Sequence, residues 1–248
     1  MAAERPTIVL VPRSFQTPLV YNDLLTRLRD LGYSVVLPPL PSCSDVEHDD
    51  FSTRTLTDDA MAITKVVEQL AEDGKAVALV MHSYGGIMGS EAIPESLSYR
   101  ACQARGQKGG IIHLFYYKAF LLGKGKMSSE DIWRTDGRFF IRNGASTLYS
   151  DLPEAEAKLW ESWLIPQSYR VQTTPVTRAA YEYIPSNYLI CENDRAVPRQ
   201  FQRVFAGKAK AQVESCNIGH SPMLSQPGML AQKIITAVEK AAAAVETK

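Results

Sequence analysis

The chain has 248 residues, 45% of them hydrophobic and 22% charged, which is enough apolar material for one large core or two small ones. Lysine plus arginine equals aspartate plus glutamate at 27 each, so no net field draws the protein to nucleic acid or to an anionic membrane, and the expected ligand is a small neutral molecule. The four cysteines are scattered without a Cys-x-x-Cys pair, the amino terminus has no signal-peptide pattern, and no apolar run reaches the roughly 20 residues of a membrane span, so a cytoplasmic setting is expected.

In chain order, Thr7 to Val11 is a short β-branched run, and Thr17-Pro18 opens a helix whose apolar positions Val20, Leu24, Leu25, Leu28 and Leu31 recur at helical spacing until Gly32. Tyr33 to Leu37 reads as a second strand ending in a proline-rich loop. An acidic surface segment follows, and Thr55-x-x-Asp58 caps the next helix, which carries Ala60, Ile63, Val66, Val67 and Leu70 on one face. Ala76 to Val80 is a buried strand that stops at Met81-His82-Ser83-Tyr84-Gly85-Gly86. A strand, a sharp turn presenting a serine, and a helix opened by glycines form a nucleophile elbow, in which Met81 takes the place of the usual first glycine.

Ile111 to Leu122 is an apolar strand running into its loop. Alternating strands and helices over this length call for a mostly parallel, doubly wound α/β sheet in one domain spanning residues 1–248. From Gly123 to Thr174 the strand pattern lapses, and this segment is expected to be an inserted helical cap. It has a short helical piece at Ser129 to Trp133 and a capping box, Asp151-Leu152-Pro153-Glu154, that opens a helix through Trp163. Strand pattern resumes at Tyr188 to Cys191 and again at Ala211 to Val213, and Met229 to Val245 closes the chain as an amphipathic helix.

A serine hydroxyl needs a base within hydrogen-bond reach, itself oriented by a carboxylate. Asp194 stands just past the strand Tyr188 to Cys191, and His220 stands just past the last strand, in Gly219-His220-Ser221-Pro222. Both loops lie at strand carboxyl ends, where open parallel sheets gather ligands. His82 reads as a structural neighbour of the serine, His113 as a core histidine and His48 as part of a solvated acidic loop rather than a metal ligand. Lys118, a charge inside an apolar run, either snorkels to the surface or enters the pocket.

The chain resembles a compact α/β-hydrolase of the plant methyl esterase and hydroxynitrile lyase type, and more closely the small microbial and fungal hydrolases of that superfamily. The resemblance runs through the opening strand with Thr17-Pro18, the elbow, Tyr149 to Pro153, Glu192-Asn193-Asp194 to Val197-Pro198, and Gly219 to Pro222. It implies Ser83 as nucleophile, His220 as base and Asp194 as its orienter. It also implies an oxyanion hole from the backbone N–H groups of Tyr84 and Ser14, although Pro12-Arg13-Ser14 lacks the glycine common in that loop. Phe15, Trp160 and Trp163 are the candidate substrate-binding residues, the two tryptophans on a cap-helix face that either packs on the sheet or roofs the substrate.

The expected activity is cofactor-independent, metal-free hydrolysis of an ester, lactone or related acyl bond of a small hydrophobic metabolite. The alternatives are a lyase, carbon–carbon hydrolase or cyclase using the same triad, or a non-catalytic binding protein. The expected partner is that small molecule, with no nucleic acid or membrane and with homodimerisation left open.

Overall fold

The computed structural model describes residues 4–125 and 133–246. The chain opens with β1 (Thr7–Val11), a 3-10 turn over Pro18–Tyr21 and α1 (Asn22–Asp30), then β2 (Val35–Val36), α2 (Leu56–Glu72), β3 (Ala76–His82), α3 (Gly85–Ala92), α4 (Tyr99–Ala104) and β4 (Gly110–Tyr117). The inserted segment holds β5 (Trp133–Thr135), β6 (Arg138–Phe140), α5 (Gly144–Thr147), α6 (Glu154–Ser162), β7 (Gln167–Ser168) and α7 (Arg170–Thr173). The main sheet then resumes with β8 (Ser186–Cys191), α8 (Arg199–Lys208), β9 (Gln212–Cys216), α9 (Pro222–Ser225) and α10 (Pro227–Glu246).

The six main strands pair in the order β2-β1-β3-β4-β8-β9, every neighbour parallel. All residues of β1, β4 and β8 are buried, which is why these strands read as continuous apolar runs rather than as alternating ones. Alternate side chains feed two cores. Val9, Val11, Leu79 and Met81 pack with Ala60, Ile63 and Val67 of α2 on one face. Ile8, Leu10, Val80 and Phe115 pack with Leu24 and Leu28 of α1 and Ile234 and Val238 of α10 on the other. The helices thus cover both faces, as a parallel sheet requires.

The expected box at Thr55 forms: Asp58 Oδ2 accepts from Thr55 N at 2.7 Å, and the Thr55 hydroxyl accepts from Asp58 N at 3.4 Å. The expected box at Asp151 does not form. Helix α6 begins behind Pro153 without a side-chain cap, because Asp151 Oδ2 is taken by Gly219 N at 3.0 Å and by the Ser225 hydroxyl at 2.7 Å. A local signal is overridden here by a tertiary one. The inserted segment also differs from the purely helical reading: β5, β6 and β7 form a small antiparallel sheet beside the helices. Strands of two or three residues are too short to show a period of two in sequence. The expected helical piece at Ser129 to Trp133 lies mostly outside the described residues, and its last residue begins β5.

The elbow helix lies close against the first strand. A Cβ on Gly85 would stand 2.5 Å from the Val11 carbonyl oxygen and 2.7 Å from that of Pro12, both backbone atoms that cannot rotate away. Gly85→Ala is therefore expected to lower stability by about 1–3 kcal/mol through overpacking. Urea unfolding should show a lower midpoint with an unchanged slope; a midpoint equal to that of the wild type would show that the first loop yields freely.

Candidate active site

Four loops at the carboxyl edge of the sheet converge: the loop after β1 (Pro12 to Gln16), the elbow after β3, the loop after β8 and the loop after β9. At the elbow, Ser83 adopts φ +53°, a left-handed conformation that costs a non-glycine residue on the order of 1–2 kcal/mol. Backbone hydrogen bonds pin it. Ser83 N donates to Tyr117 O at 3.4 Å, and Ser83 O accepts from Gly86 N and Phe120 N, both at 3.0 Å. Met81 fits at the usual glycine position because Gly89, in α3, leaves room: a Cβ there would meet the Met81 sulfur at 2.6 Å.

His220 Nδ1 lies 2.9 Å from Asp194 Oδ2 and 3.0 Å from Oδ1. Asp194 Oδ1 also accepts from Ala196 N at 2.8 Å and Val197 N at 2.9 Å, so the turn that follows the carboxylate fixes its plane. Burial alone would raise the Asp194 pKa; the charge and hydrogen bond of His220, backed by the Lys118 ammonium and Val197 N, hold it below the ordinary aspartate value. For His220, burial lowers the pKa below the ordinary histidine value, Asp194 opposes that shift, and the Arg13 and Lys118 cations add to it. The imidazole is thus neutral at pH 7, with Nδ1–H directed at the carboxylate.

His82 is the expected structural neighbour, and its connections are specific. A backbone carbonyl can only accept, so the 3.0 Å contact between His82 Nε2 and His220 O makes Nε2 the donor and leaves Nδ1 to accept from the Tyr21 hydroxyl at 2.8 Å. The Tyr21 oxygen in turn accepts from Arg13 N at 3.0 Å. Burial keeps His82 neutral, with its pKa well below the ordinary value, and its ring stacks on Tyr117 at 4.5 Å. One chain of hydrogen bonds therefore joins the first loop to the histidine loop through the residue before Ser83. The sequence carries no signal of it, because Tyr21 and His82 meet only in the tertiary fold.

A second support was legible but unread. Asp59 falls on the apolar face of α2 with Leu56, Ala60 and Ile63, and it is fully buried. Its carboxylate accepts from Ser42 N at 2.9 Å, the Ser42 hydroxyl at 2.6 Å and the Tyr84 hydroxyl at 3.4 Å. The Tyr84 side chain thus anchors the elbow to α2.

Other candidates separate. Ser14 is buried in the first loop, and Phe15 beside it has φ +66° and packs edge-on to Phe139 at 4.9 Å. Arg13 lies under the cap, its guanidinium 5.5 Å from the Tyr149 ring, and Gln16 Nε2 donates to the Tyr149 hydroxyl at 2.5 Å. Trp160 is partly buried against the cluster of Leu148, Tyr149 and Ala157, whereas Trp163 packs edge-on to it and is 46% exposed. Lys118 does not snorkel: it is fully buried. His113 is a core histidine, its Nε2 3.0 Å from Asn187 Oδ1, and His48 pairs with Asp50 in the exposed acidic loop.

The alpha/beta hydrolase family profile matches residues 8–233 of this chain. The chain belongs to the alpha/beta hydrolase family. Among curated members it is similar to the alpha/beta hydrolase nvfD of Aspergillus novofumigatus, with 31% identity over 96% of this chain and 98% of that one. It is also similar to a probable hydrolase of a Phoma species, with 26% identity over 93% and 97%. Among solved structures, polyneuridine aldehyde esterase superposes with a TM-score of 0.73 at 17% identity, covering 94% of this chain and 99% of that one. Tomato methylketone synthase I, complexed with 2-tridecanone, superposes with a TM-score of 0.74 at 15% identity, covering 96% and 99%. At these identities the structural likeness concerns the alpha/beta hydrolase fold alone. Among the described residues no helix is long and apolar enough to cross a membrane.

Burial pushes the Asp59 pKa up to about 7 from 3.8, against the lowering effect of its hydrogen bonds. Between those values the folded protein holds a proton that the unfolded chain releases, so this group's contribution to stability falls as pH rises from about 4 to about 7. Asp59→Asn should remove that decline. Urea unfolding across this range should show the wild type losing ground to the variant as pH rises, by up to a few kcal/mol; a constant difference would mean that Asp59 ionises normally.

Proposed function

We propose that this protein is a cofactor-independent serine hydrolase that cleaves an ester, lactone or related acyl bond of a small hydrophobic metabolite. The observation that carries the reading is the buried Asp194–His220 pair at 2.9 Å, whose histidine is tied through its carbonyl to His82, the residue before a serine held at φ +53° on the strand-to-helix turn. Hydrolase relatives that align over nearly the whole chain support it.

In this reading His220 Nε2 takes the Ser83 hydroxyl proton as the oxygen attacks the carbonyl carbon, and Asp194 stabilises the imidazolium without taking its proton. The carbonyl oxygen, now negative, is received by the backbone N–H groups of Tyr84 and Ser14; loss of one such donor costs on the order of 10²-fold or more in rate. His220 then protonates the leaving alkoxide. Water, deprotonated by the same imidazole, attacks the acyl-enzyme, and the carboxylic acid leaves as Ser83 regains its proton. The tie from His82 to the His220 carbonyl keeps the base at the elbow throughout.

A fluorophosphonate tests this directly. It should label Ser83 alone, and Ser83→Ala should abolish both labelling and turnover of p-nitrophenyl esters. Asp194→Asn should keep the fold and lower kcat by about 10⁴-fold, the effect of the corresponding change in a serine protease. Labelling of Ser83 without ester turnover would move the reading to a lyase or cyclase. Folded protein that refuses the probe at neutral pH would sink the hydrolase.

A further inference from the structure

Of the described lysines only Lys118 is buried, with no exposed surface at all. It directly follows β4 at φ +51°, again a left-handed conformation on a non-glycine residue. The residue before it, Tyr117, is level with His82 on one side and Leu189 on the other, and the Tyr117 carbonyl receives the Ser83 N–H. Lys118 therefore directly follows the strand that lies between β3 and β8 in the sheet. Its Nζ makes no hydrogen bond within the protein.

A buried ammonium without a bonded partner is costly. Packing gives no reason for it, since methionine would fill similar space without the charge. What surrounds the charge does give a reason. The ammonium acts electrostatically on Asp194, His220, His82, Cys191 and Cys216. His220 is faced by Asp194 from the β8 loop, His82 from β3, Arg13 from the first loop and Lys118 from the β4 loop. Asp194 is faced in addition by Tyr188 and by the N–H groups of Ala196 and Val197. Two buried cations thus bracket a pair that carries a single carboxylate.

We propose that Lys118 is a positioning residue for the Ser83–His220–Asp194 group: its sealed side chain, with no bonded partner for Nζ, sets the electrostatic field in which the Asp194–His220 pair works. The effect serves both halves of the reaction. A base that resists protonation is ready to accept the serine proton in weakly acidic medium, and the imidazolium once formed releases its proton readily to the leaving group. The inference rests on the hydrolase reading above.

The test compares wild type, Lys118→Met and Lys118→Arg by the pH dependence of two quantities: the fluorophosphonate labelling rate at Ser83, and kcat/KM for a short p-nitrophenyl ester. The His220 titration midpoint, followed by NMR without substrate, is the third measurement. Lys118→Met should still label at Ser83, with its acid limb and its His220 midpoint both displaced upward by roughly half a pH unit or more. Lys118→Arg, which keeps the charge, should restore most of the displacement. If Lys118→Met does not fold, Lys118→Gln carries the same expectation. A folded, labelling Lys118→Met or Lys118→Gln with an unmoved limb and midpoint would overturn the role of Lys118 and leave the hydrolase standing. Wild-type protein that fails to label would remove the hydrolase reading first and the inference with it.

Discussion

Everything at the carboxyl edge of the sheet depends on one constraint, the left-handed backbone at Ser83. A serine at φ +53° is unfavourable in isolation, so the conformation persists only because its surroundings leave no other. The Ser83 N–H is held by Tyr117 on β4, and its carbonyl is held by Gly86 in its own helix and Phe120 in the β4 loop. These bonds require β3 and β4 to be in register at their carboxyl ends, which the paired residues from Ala78↔His113 to His82↔Tyr117 enforce beyond a one-residue shift after Val77. They also require α3 to lie almost on the backbone of the first strand. The glycines admit that approach: Gly85 faces the carbonyls of Val11 and Pro12, and Gly86 faces Phe120 O at a distance no Cβ could tolerate. The strain at one residue is thus supported by the packing of the whole central sheet.

Beneath the reactive edge the polar groups are arranged to be stiff. Tyr21 and His82 connect the first loop to the histidine loop, and Ser42 and Asp59 connect the elbow tyrosine to α2. Satisfied buried hydrogen bonds of this kind rigidify, because every alternative arrangement strands a donor or acceptor away from water. Side chains held in this way keep one arrangement without further ordering, which is the preorganisation from which electrostatic stabilisation gains its strength.

Much of this was legible in sequence. The strands stood out because a parallel sheet buried on both faces leaves unbroken apolar runs, and Asp194 and His220 stood out because each polar loop directly follows such a run. Other features were hidden for identifiable reasons. The cap sheet is built of strands too short to have a period. The direction of Lys118 depends on whether solvent or protein lies beyond β4, which no local pattern encodes. Asp151 has the sequence of a helix cap but is claimed by Gly219 and Ser225, residues far along the chain. Cys191 and Cys216 looked unrelated in sequence, yet strand register sets them opposite one another with their sulfurs 3.3 Å apart. Asp59 is different in kind: helical spacing alone places it among Leu56, Ala60 and Ile63, and a charged residue on an apolar helix face was the signal that could have found it.

The ties between cap and sheet act on both loops that flank Ser83. The cap holds the histidine loop through Leu148 O, which accepts from the Ser221 hydroxyl at 2.7 Å, and through Asp151 on Gly219. It holds the first loop through Phe15 O, which accepts from Ile165 N at 3.0 Å, and through the Tyr149 hydroxyl between Gln16 and Arg13. Both loops that flank the serine are therefore bonded to the element that covers it. Moving the cap away as a rigid body would break these bonds and disturb Ser14 and His220 together.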